Sequence, residues 1–380
     1  METSDSPSTL RPPRRILVRG TNWLGDAVMT TPALLRLREK FTDAHLALLT
    51  PEKLRDLWRH HPAVDETISF APGENVFSVA RKLRAGRFEL ALVLPNSPRA
   101  AIETWLAGIP QRIGYARPWR NWFLTTRVTL RPDGVEMRKR SVDEIRRLVA
   151  ADVSRREPAN GPVLPNAAQA HQIHEYLHLA AAAGANPEPL PPALCVTPDE
   201  VEAVRKKFSL GGIQRPIFGL NPGAEYGPAK RWPVEKFIAA AGEIQTRTNC
   251  TWLTFGSPND AALVHRIESA IPSPPSAVFN LAGKTSLREL MALLKICRVL
   301  LTNDTGPMHV AATLGTPVVV PFGSTSPDLT GPGLPGDPRH RLLKSDAPCS
   351  PCFLRECPID LRCLNGISVE RVVKAVLEVA

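Results

Sequence analysis

A single carboxylate, Asp26, follows the first predicted strand of this chain, within the run ILVRGTNWLGDAVM. In open α/β sheets, ligands bind beyond the carboxyl ends of the strands, so this carboxylate is placed where a substrate would lie. There it could accept the proton of an attacking hydroxyl group. Asp is also a common helix cap, and Asp26 could instead only cap a helix that begins at Ala27. The local sequence leaves two interpretations, a general base behind a flexible Gly25 or a helix cap.

A second candidate segment is the loop NPGAEYGPAKRWP at residues 221–233. Gly223 and Gly227 allow the backbone to approach a ligand closely, and Lys230 with Arg231 can supply positive charge to a diphosphate. The spacing lacks the Gly-Lys-Ser/Thr ending of a P-loop, which argues against ATP hydrolysis of the Walker type. The alternative is a surface loop in which Lys230 is solvated.

The third segment, NDTGPMH at residues 303–309, follows a predicted strand that ends at Thr302. A helix that starts within it would offer free N–H groups and a positive dipole end to a phosphate. His309 lies four residues after Thr305, on the same helical face, and can point into the same cleft. A lone histidine on a helix is more often structural, and that alternative stays open.

Alternating strand and helix patterns position these segments. The predicted strands cover 15–19, 45–50, 88–94 and 111–114 in the first half, and 216–220, 251–255, 299–302 and 317–321 in the second. This alternation predicts an α/β protein with two Rossmann-like domains built on parallel sheets.

We predict four parts along the chain, with a boundary in the proline-rich run NPEPLPPAL. They are a disordered leader at 1–13, a first domain at 14–186, a second domain at 187–366, and a C-terminal helix at 367–380 that packs back on the first domain. No apolar run approaches the roughly 18 residues that a membrane-spanning helix needs. We therefore expect a cytoplasmic protein.

Positive charge is concentrated in the first half of the chain. Residues 1–190 carry 27 Lys and Arg against 20 Asp and Glu, within a net charge of +10. The stretch GYARPWRNWFLTTR mixes arginine with tryptophan and suits an anionic, amphipathic partner such as a lipid headgroup or a phosphorylated glycolipid. Nucleic acid is the weaker alternative, because no nucleic-acid-binding signature is present. Each arginine could also simply be solvated.

Four of the seven cysteines form a cluster, Cys349-x2-Cys352-x4-Cys357-x5-Cys363. A cytosolic setting argues against disulfides, so structural zinc is one interpretation of this cluster. The spacing is irregular, and ordinary or redox-active thiols are the alternative.

Four motifs, NWLGDAVMTTPALLRL, NPGAEYGPAKRWP, LAGKTSLRELMALL and LLTNDTGPMHVAATLGTPVVVPFG, together resemble glycosyltransferase family 9, the ADP-heptose:lipopolysaccharide heptosyltransferases. They occur in the family's order through nearly the whole chain. The GAEYGPAKRWP run and the cysteine tail look most like the members that add the second inner-core heptose. The resemblance implies a GT-B architecture, with the acceptor on the first domain and the ADP-sugar on the second.

The resemblance also implies roles for individual residues. Asp26 takes the place of the catalytic base, and Lys230 that of the diphosphate contact that stabilises the leaving group. The donor site would be completed by Gly223, Asp260, Asp304, Thr305, Gly306 and His309. Trp23, Arg117, Arg120 and Arg127 would face the acceptor or the membrane.

The implied reaction is an inverting, single-displacement transfer of heptose from ADP-heptose to the inner-core heptose of lipopolysaccharide. No metal or cofactor is expected for catalysis, since the sequence shows no Asp-x-Asp pair to hold Mg²⁺ on a diphosphate. We expect a monomer that binds the anionic inner face of the cytoplasmic membrane peripherally and does not bind nucleic acid. The alternatives are transfer to Kdo, another family 9 ADP-sugar transferase, and a GT-B nucleotide-sugar epimerase.

Overall fold

A computed structural model describes residues 11–135, 137–153, 167–271 and 277–380. Its first half forms a six-stranded parallel sheet in the order β3-β2-β1-β4-β5-β6. The strands are β1 (Arg15–Arg19), β2 (His45–Pro51), β3 (Glu66–Phe70), β4 (Leu90–Val93), β5 (Gln111–Tyr115) and β6 (Thr126–Val128). The helices are α1 (Leu24–Met29), α2 (Thr31–Lys40), α3 (Val76–Ala85), α4 (Pro98–Leu106), α5 (Val142–Val153), α6 (Ala167–Ala170) and α7 (Ile173–Ala182).

The second half repeats this arrangement, with a parallel sheet in the order β12-β11-β10-β7-β8-β9. The strands are β7 (Ile217–Asn221), β8 (Thr251–Thr254), β9 (Val278–Asn280), β10 (Val299–Thr302), β11 (Val318–Pro321) and β12 (Arg341–Leu343). The helices are α8 (Pro198–Lys207), α9 (Val234–Thr248), α10 (Ala261–Ala270), α11 (Leu287–Ile296), α12 (Gly306–Thr313), α13 (Pro327–Thr330), α14 (Arg362–Asn365) and α15 (Val369–Val379). The predicted pair of parallel α/β sheets is confirmed.

The central strands of both sheets are apolar and fully buried, as strands covered by helices on both faces must be. All eight predicted strands are present, close to their predicted bounds. The structure adds four strands that the sequence pattern did not reveal, β3, β6, β9 and β12. Each is three to five residues long and lies at or next to a sheet edge, where the apolar signal is weak.

The two sheets approach each other through α1 and α12, which pack directly together. Each of these helices follows the strand at the centre of its own sheet, β1 or β10. The carboxyl ends of the two central strands therefore face one another across a cleft. Further contacts between the halves join α6 to α13, and α11 to the 3₁₀ helix Glu52–Trp58.

The C-terminal helix does not pack as predicted. α15 lies against α9 and the strands β10, β11 and β12 of the second sheet, and its apolar side chains join the core of that half. Val372, Val373 and Val376 are fully or almost fully buried there. The prediction that this helix packs back on the first domain is wrong, because its apolar face completes the second domain instead.

Residues 1–10 of the predicted leader lie outside the described residues. Within the described part of the chain, every helix is too short or too polar to span a lipid bilayer.

Candidate functional site

The turn between β1 and α1 is held by a buried ion pair. The Nε atom of Arg19 lies 3.1 Å from Oε2 of Glu103, and both side chains are almost completely buried. Arg19 also donates to the carbonyl oxygen of Gly20 at 2.6 Å and to Oδ1 of Asn22 at 3.0 Å. These bonds fix the backbone that leads to Asp26. In the sequence, Arg19 and Glu103 each stand among apolar neighbours, which could indicate that each is buried but not that the two meet.

Asp26 lies inside the first turn of α1, because the helix begins at Leu24 and Trp23 occupies the N-cap position. The interpretation of Asp26 as the cap of a helix starting at Ala27 is therefore wrong. Burial raises the pKa of Asp26 to about 6, with Lys230 lowering it and Asp304 raising it further. No hydrogen bond to its carboxylate comes from any described residue. Such a carboxylate is suited to take up a proton near neutral pH.

Asp26 reaches the second domain because α1 and α12 approach closely. A Cβ atom on Gly25 would lie 2.7 Å from Cδ2 of His309, and one on Gly306 would lie 2.8 Å from Cβ of Leu24. Both distances are too short for a side chain, so Gly25 provides close approach rather than flexibility. His309 is buried at this contact, and burial lowers its pKa to about 4, which keeps the imidazole neutral at pH 7.

The loop before α9 delivers Lys230 to the same place. Its Nζ atom lies 2.6 Å from Oδ2 of Asp304, which also accepts a 2.5 Å hydrogen bond from Thr325. The Lys230 ammonium lies 5.0 Å from the ring centre of Tyr226. The structure thus joins Lys230 and Asp304, two predicted donor-site residues, into one ion pair. Tyr226 and Thr325 were missed, since neither residue type signals a site by itself.

Three cavities run in series along the cleft, and their lining residues overlap. The first-domain cavity has a volume of about 470 Å³, the central cavity about 360 Å³ and the second-domain cavity about 510 Å³. Trp23, Asp26 and Gln172 line both the first-domain and the central cavity. Glu225 and Thr305 line both the central and the second-domain cavity. Asp26 therefore faces two compartments at once.

The predicted donor residues line the last two cavities. Lys230, Asp304, Thr305, Gly306 and His309 surround the central cavity. The first turn of α12 opens here, and its N-cap residue Thr305 makes no side-chain capping bond. An uncapped helix N-terminus of this kind favours phosphate.

Gly223 and Asp260 line the second-domain cavity together with Arg231. Oδ2 of Asp260 accepts hydrogen bonds from the backbone N–H and the hydroxyl group of Ser257, at 3.0 and 2.6 Å. Its other oxygen lies 3.4 Å from Arg231. A Cβ atom on Gly223 would be only 2.6 Å from Asp260, so glycine allows the two loops to meet. The donor contact of Asp260 stays a prediction.

The arginine-tryptophan segment divides into a buried and an exposed part. Arg120 is completely buried, so its predicted role as a membrane-facing residue is wrong. Arg117 lines the first-domain cavity, as does Trp23. The tryptophans at 119 and 122 are each 84% exposed, and Arg127 is exposed on the neighbouring strand β6.

The four clustered cysteines are free thiols, of which Cys349, Cys352 and Cys363 are buried. Burial raises the pKa of each of these three thiols. Among the described residues, no group of three or more His, Cys, Asp or Glu side chains is arranged to hold a metal ion. The predicted zinc site at these cysteines is therefore not formed in this structure.

Residues 158–362 match the model of glycosyltransferase family 9 (heptosyltransferase). Lipopolysaccharide heptosyltransferase 2 of Escherichia coli is 32% identical over 332 residues, which cover 84% of this chain and 85% of that protein. The chain belongs to glycosyltransferase family 9. It is a glycosyltransferase, and its two facing sheets are a GT-B architecture.

Solved structures agree with this assignment. The structure of E. coli ADP-heptose lps heptosyltransferase II aligns with a TM-score of 0.75 and 28% identity, covering 96% of this chain and 98% of that one. E. coli heptosyltransferase WaaC with ADP aligns with a TM-score of 0.66 at 16% identity, which shows a shared fold. The predicted family is confirmed, and the family favours glycosyl transfer over the epimerase alternative.

Proposed function

We propose that this family 9 enzyme transfers heptose from ADP-heptose to the inner-core heptose of lipopolysaccharide. The observation that carries the proposal is the position of Asp26, which lines both the first-domain and the central cavity. An acceptor in one cavity and a sugar donor in the other would meet at this carboxylate. Relatives named lipopolysaccharide heptosyltransferase 2 support the choice of substrates, at 32% identity against 23% for a relative named heptosyltransferase 3.

In the proposed arrangement, ADP occupies the second-domain cavity and the heptose lies in the central cavity. Asp26 removes the proton of the acceptor hydroxyl as its oxygen attacks the anomeric carbon. The bond to the diphosphate breaks on the opposite side of that carbon, so the configuration inverts. Lys230 and the N–H groups at the start of α12 stabilise the negative charge that grows on ADP.

This mechanism requires neither a metal nor a cofactor, because protein groups supply the positive charge at the diphosphate. Transfer should therefore persist in EDTA. A strict requirement for added Mg²⁺ would contradict this part of the proposal.

The experiment that tests the function is incubation with ADP-heptose and defined acceptors, followed by mass analysis. A mass increase of one heptose on heptosyl-Kdo2-lipid A, with little on Kdo2-lipid A, is the expected result. Transfer to Kdo2-lipid A alone would assign the enzyme to the preceding step. Loss of ADP-heptose without any glycosylated product would contradict the proposal.

We also propose that the enzyme binds peripherally to the anionic inner face of the cytoplasmic membrane. The aromatic loop, which we define as residues 117–127, supports this proposal through the exposed Trp119 and Trp122. Tryptophan favours the membrane interface, and nearby arginine favours anionic lipid. This loop follows β5, and Arg117 within it lines the first-domain cavity. Docking through it would bring the cavity toward a membrane-anchored acceptor.

A further inference from the structure

Arg355 lies at a bend within the cysteine segment, residues 349–363, and its side chain lines the central cavity. The backbone that leads to it is fixed by Ser324, whose carbonyl oxygen accepts from the N–H groups of Cys352 and Phe353 at 3.0 and 2.7 Å. Phe353 has a φ of 56°, a left-handed conformation that residues other than glycine rarely adopt. Such backbone persists where surrounding contacts enforce it, and it is concentrated at functional sites.

The backbone around Arg355 is joined to the loop that carries Lys230. The N–H group of Ala229 donates to the carbonyl oxygen of Arg355 at 2.9 Å. The hydroxyl group of Tyr226 donates to the carbonyl oxygen of Phe353 at 2.7 Å. Because the cysteine segment uses main-chain atoms in both bonds, replacing the Arg355 side chain should leave them in place.

A single aromatic ring contacts the side chains of both Arg355 and Lys230. Cζ of Arg355 lies 5.3 Å from the ring centre of Tyr226, and Nζ of Lys230 lies 5.0 Å from it. A cation is attracted to the face of an aromatic ring at such distances. The ring therefore holds two positive charges at one part of the central cavity.

The two cations differ in how far their charge is compensated. Lys230 is paired with Asp304 at 2.6 Å, and Arg231, which lines the second-domain cavity, lies 3.4 Å from Asp260. Arg355 lies beyond ion-pair distance of every carboxylate in the described part of the chain. Its charge is therefore available to an anionic ligand in the central cavity.

We propose that Arg355 is a further catalytic residue, whose guanidinium group donates hydrogen bonds to the β-phosphate of the sugar donor. The inference rests on the proposed function, in which the heptose lies in the central cavity and ADP in the second-domain cavity. Arg355 lines the first of these cavities and is absent from the lining of the second. The phosphate next to the sugar is therefore the part of the nucleotide that it would meet.

The contact would act on the leaving group. When the bond between the anomeric carbon and the β-phosphate oxygen breaks, its electron pair stays on that oxygen. The guanidinium group keeps its protons and donates to the phosphate through charge-assisted hydrogen bonds. Because the phosphate gains negative charge in this step, the contact is stronger in the transition state than in the bound donor.

Calorimetry with the full-length enzyme tests the contact through two nucleotides, ADP and AMP, of which only ADP has a β-phosphate. Arg355→Met removes the charge and keeps an unbranched side chain against the Tyr226 ring. We expect its ADP affinity to fall about tenfold or more and its AMP affinity to stay within about twofold. Arg355→Lys, which keeps the charge without the planar fork, should recover part of the ADP affinity.

Kinetics tests the effect on the reaction. At saturating ADP-heptose, kcat of Arg355→Met should be at least about tenfold lower, because the contact strengthens as the charge develops. The KM for the acceptor should stay unchanged. The matched control is Arg215→Ala, at an exposed arginine of the same domain that lines neither cavity, and it should behave as the wild type in both experiments.

The outcomes separate this inference from the proposed function. Equal ADP affinity and equal kcat in wild type and Arg355→Met would overturn the role of Arg355 while heptosyl transfer stands. An equal loss of ADP and AMP affinity would also overturn it, because the side chain would then only support the loop that carries Lys230. If the wild type neither binds ADP nor transfers heptose to heptosyl-Kdo2-lipid A, the proposed function fails and this inference fails with it.

Discussion

Asp26 is both the proposed base and a source of instability. Its pKa is raised from 3.8 to about 6 in the folded chain. The folded state therefore binds more protons than the unfolded state between these values, so stability falls as the pH rises through 4 to 6. Above pH 6 the ionised carboxylate costs up to about 3 kcal/mol. A buried carboxylate whose ionisation destabilises the fold is expected of a catalytic group and not of a helix cap.

We predict that Asp26→Asn lowers kcat about 10²–10⁴-fold, because the general base is lost. ADP affinity should change little, since the carboxylate does not hold the nucleotide. The variant should also melt at a higher temperature than the wild type at pH 7.5, and not at pH 4. Asp43→Asn, at an exposed position of the same domain, is the control. Near-normal turnover in Asp26→Asn would remove Asp26 from the chemistry.

The pH at which kcat falls on the acidic side should depend on the charged groups around Asp26. At saturating substrates, we expect kcat to fall below about pH 6 as Asp26 becomes protonated. Asp304→Asn should move this limb to lower pH, because the Asp304 charge raises the pKa of Asp26. Lys230→Met should move it to higher pH, because the ammonium lowers that pKa. If kcat falls at the same pH in both variants as in the wild type, the titrating group is not Asp26.

Because Lys230 forms an ion pair with Asp304, removing the Lys230 side chain affects ADP binding in two ways. Lys230→Ala removes a charge-assisted contact worth about 1.5–3 kcal/mol and leaves the buried Asp304 carboxylate unpaired. ADP affinity should fall tenfold or more in calorimetry. The double variant Lys230→Ala/Asp304→Asn should recover part of the loss, since the diphosphate then meets no uncompensated carboxylate. Equal ADP affinity in wild type and Lys230→Ala would rule out the contact.

Much of this site was predictable from the sequence because strand-end motifs keep their local geometry. Asp26, Lys230 and the start of α12 were identified in that way. Arg120 was misjudged, because neighbouring arginines look alike in sequence and only the packing around Gly114 separates a buried one from a solvated one. The Arg19 to Glu103 ion pair could not be predicted either, since its partners lie 84 positions apart in the sequence.

At the scale of elements, the contact of α1 with α12 sets the distance between base and donor. Gly25→Ala would place a Cβ atom 2.7 Å from Cδ2 of His309 and push the two helices apart. Misplacement by about 1 Å can cost 10²-fold in rate. We therefore expect kcat to fall about 10- to 100-fold, while ADP affinity stays within about twofold. Gly212→Ala, where an added Cβ atom meets nothing within 4 Å, should have no effect.

The strands and helices also show where the periodicity of apolar residues no longer predicts the structure. Buried central strands such as β10 and β11 are almost continuous apolar runs, and the sequence predicts them directly. The short strands β6, β9 and β12 gain stability from pairing with a neighbour and not from their own sequence. The amphipathic pattern of α15 predicted a packed helix but not its partner, because an apolar face does not specify which core it will cover.

The two domains of the molecule have the same fold but contribute different parts of the site. Both domains use the same sheet order, and both place their site at the carboxyl end of the central strands. The first domain carries Asp26, whereas the second carries Lys230 and the uncapped start of α12. Catalysis in the proposed reaction therefore depends on the two domains meeting, and neither contains a complete site.

The proposed membrane contact is a property of the whole molecule, because it orients the cleft. Trp119→Ser/Trp122→Ser removes two exposed aromatic side chains, each worth on the order of 1 kcal/mol or more at a membrane interface. We expect the double variant to sediment at least tenfold less with anionic vesicles at low salt, and the wild type to lose binding in 1 M salt as the Debye length falls to about 3 Å.

Kinetics should separate this contact from acceptor recognition. The double variant should show a raised KM for the lipid-anchored acceptor and an unchanged KM for the deacylated one, because only the first is presented by a membrane. Phe77→Ser, which alters an exposed aromatic residue of the same domain outside the aromatic loop, should behave as the wild type. If vesicle binding and both KM values are the same in the double variant and the wild type, the loop does not face the membrane. Orientation of the cleft must then come from another surface of the first domain.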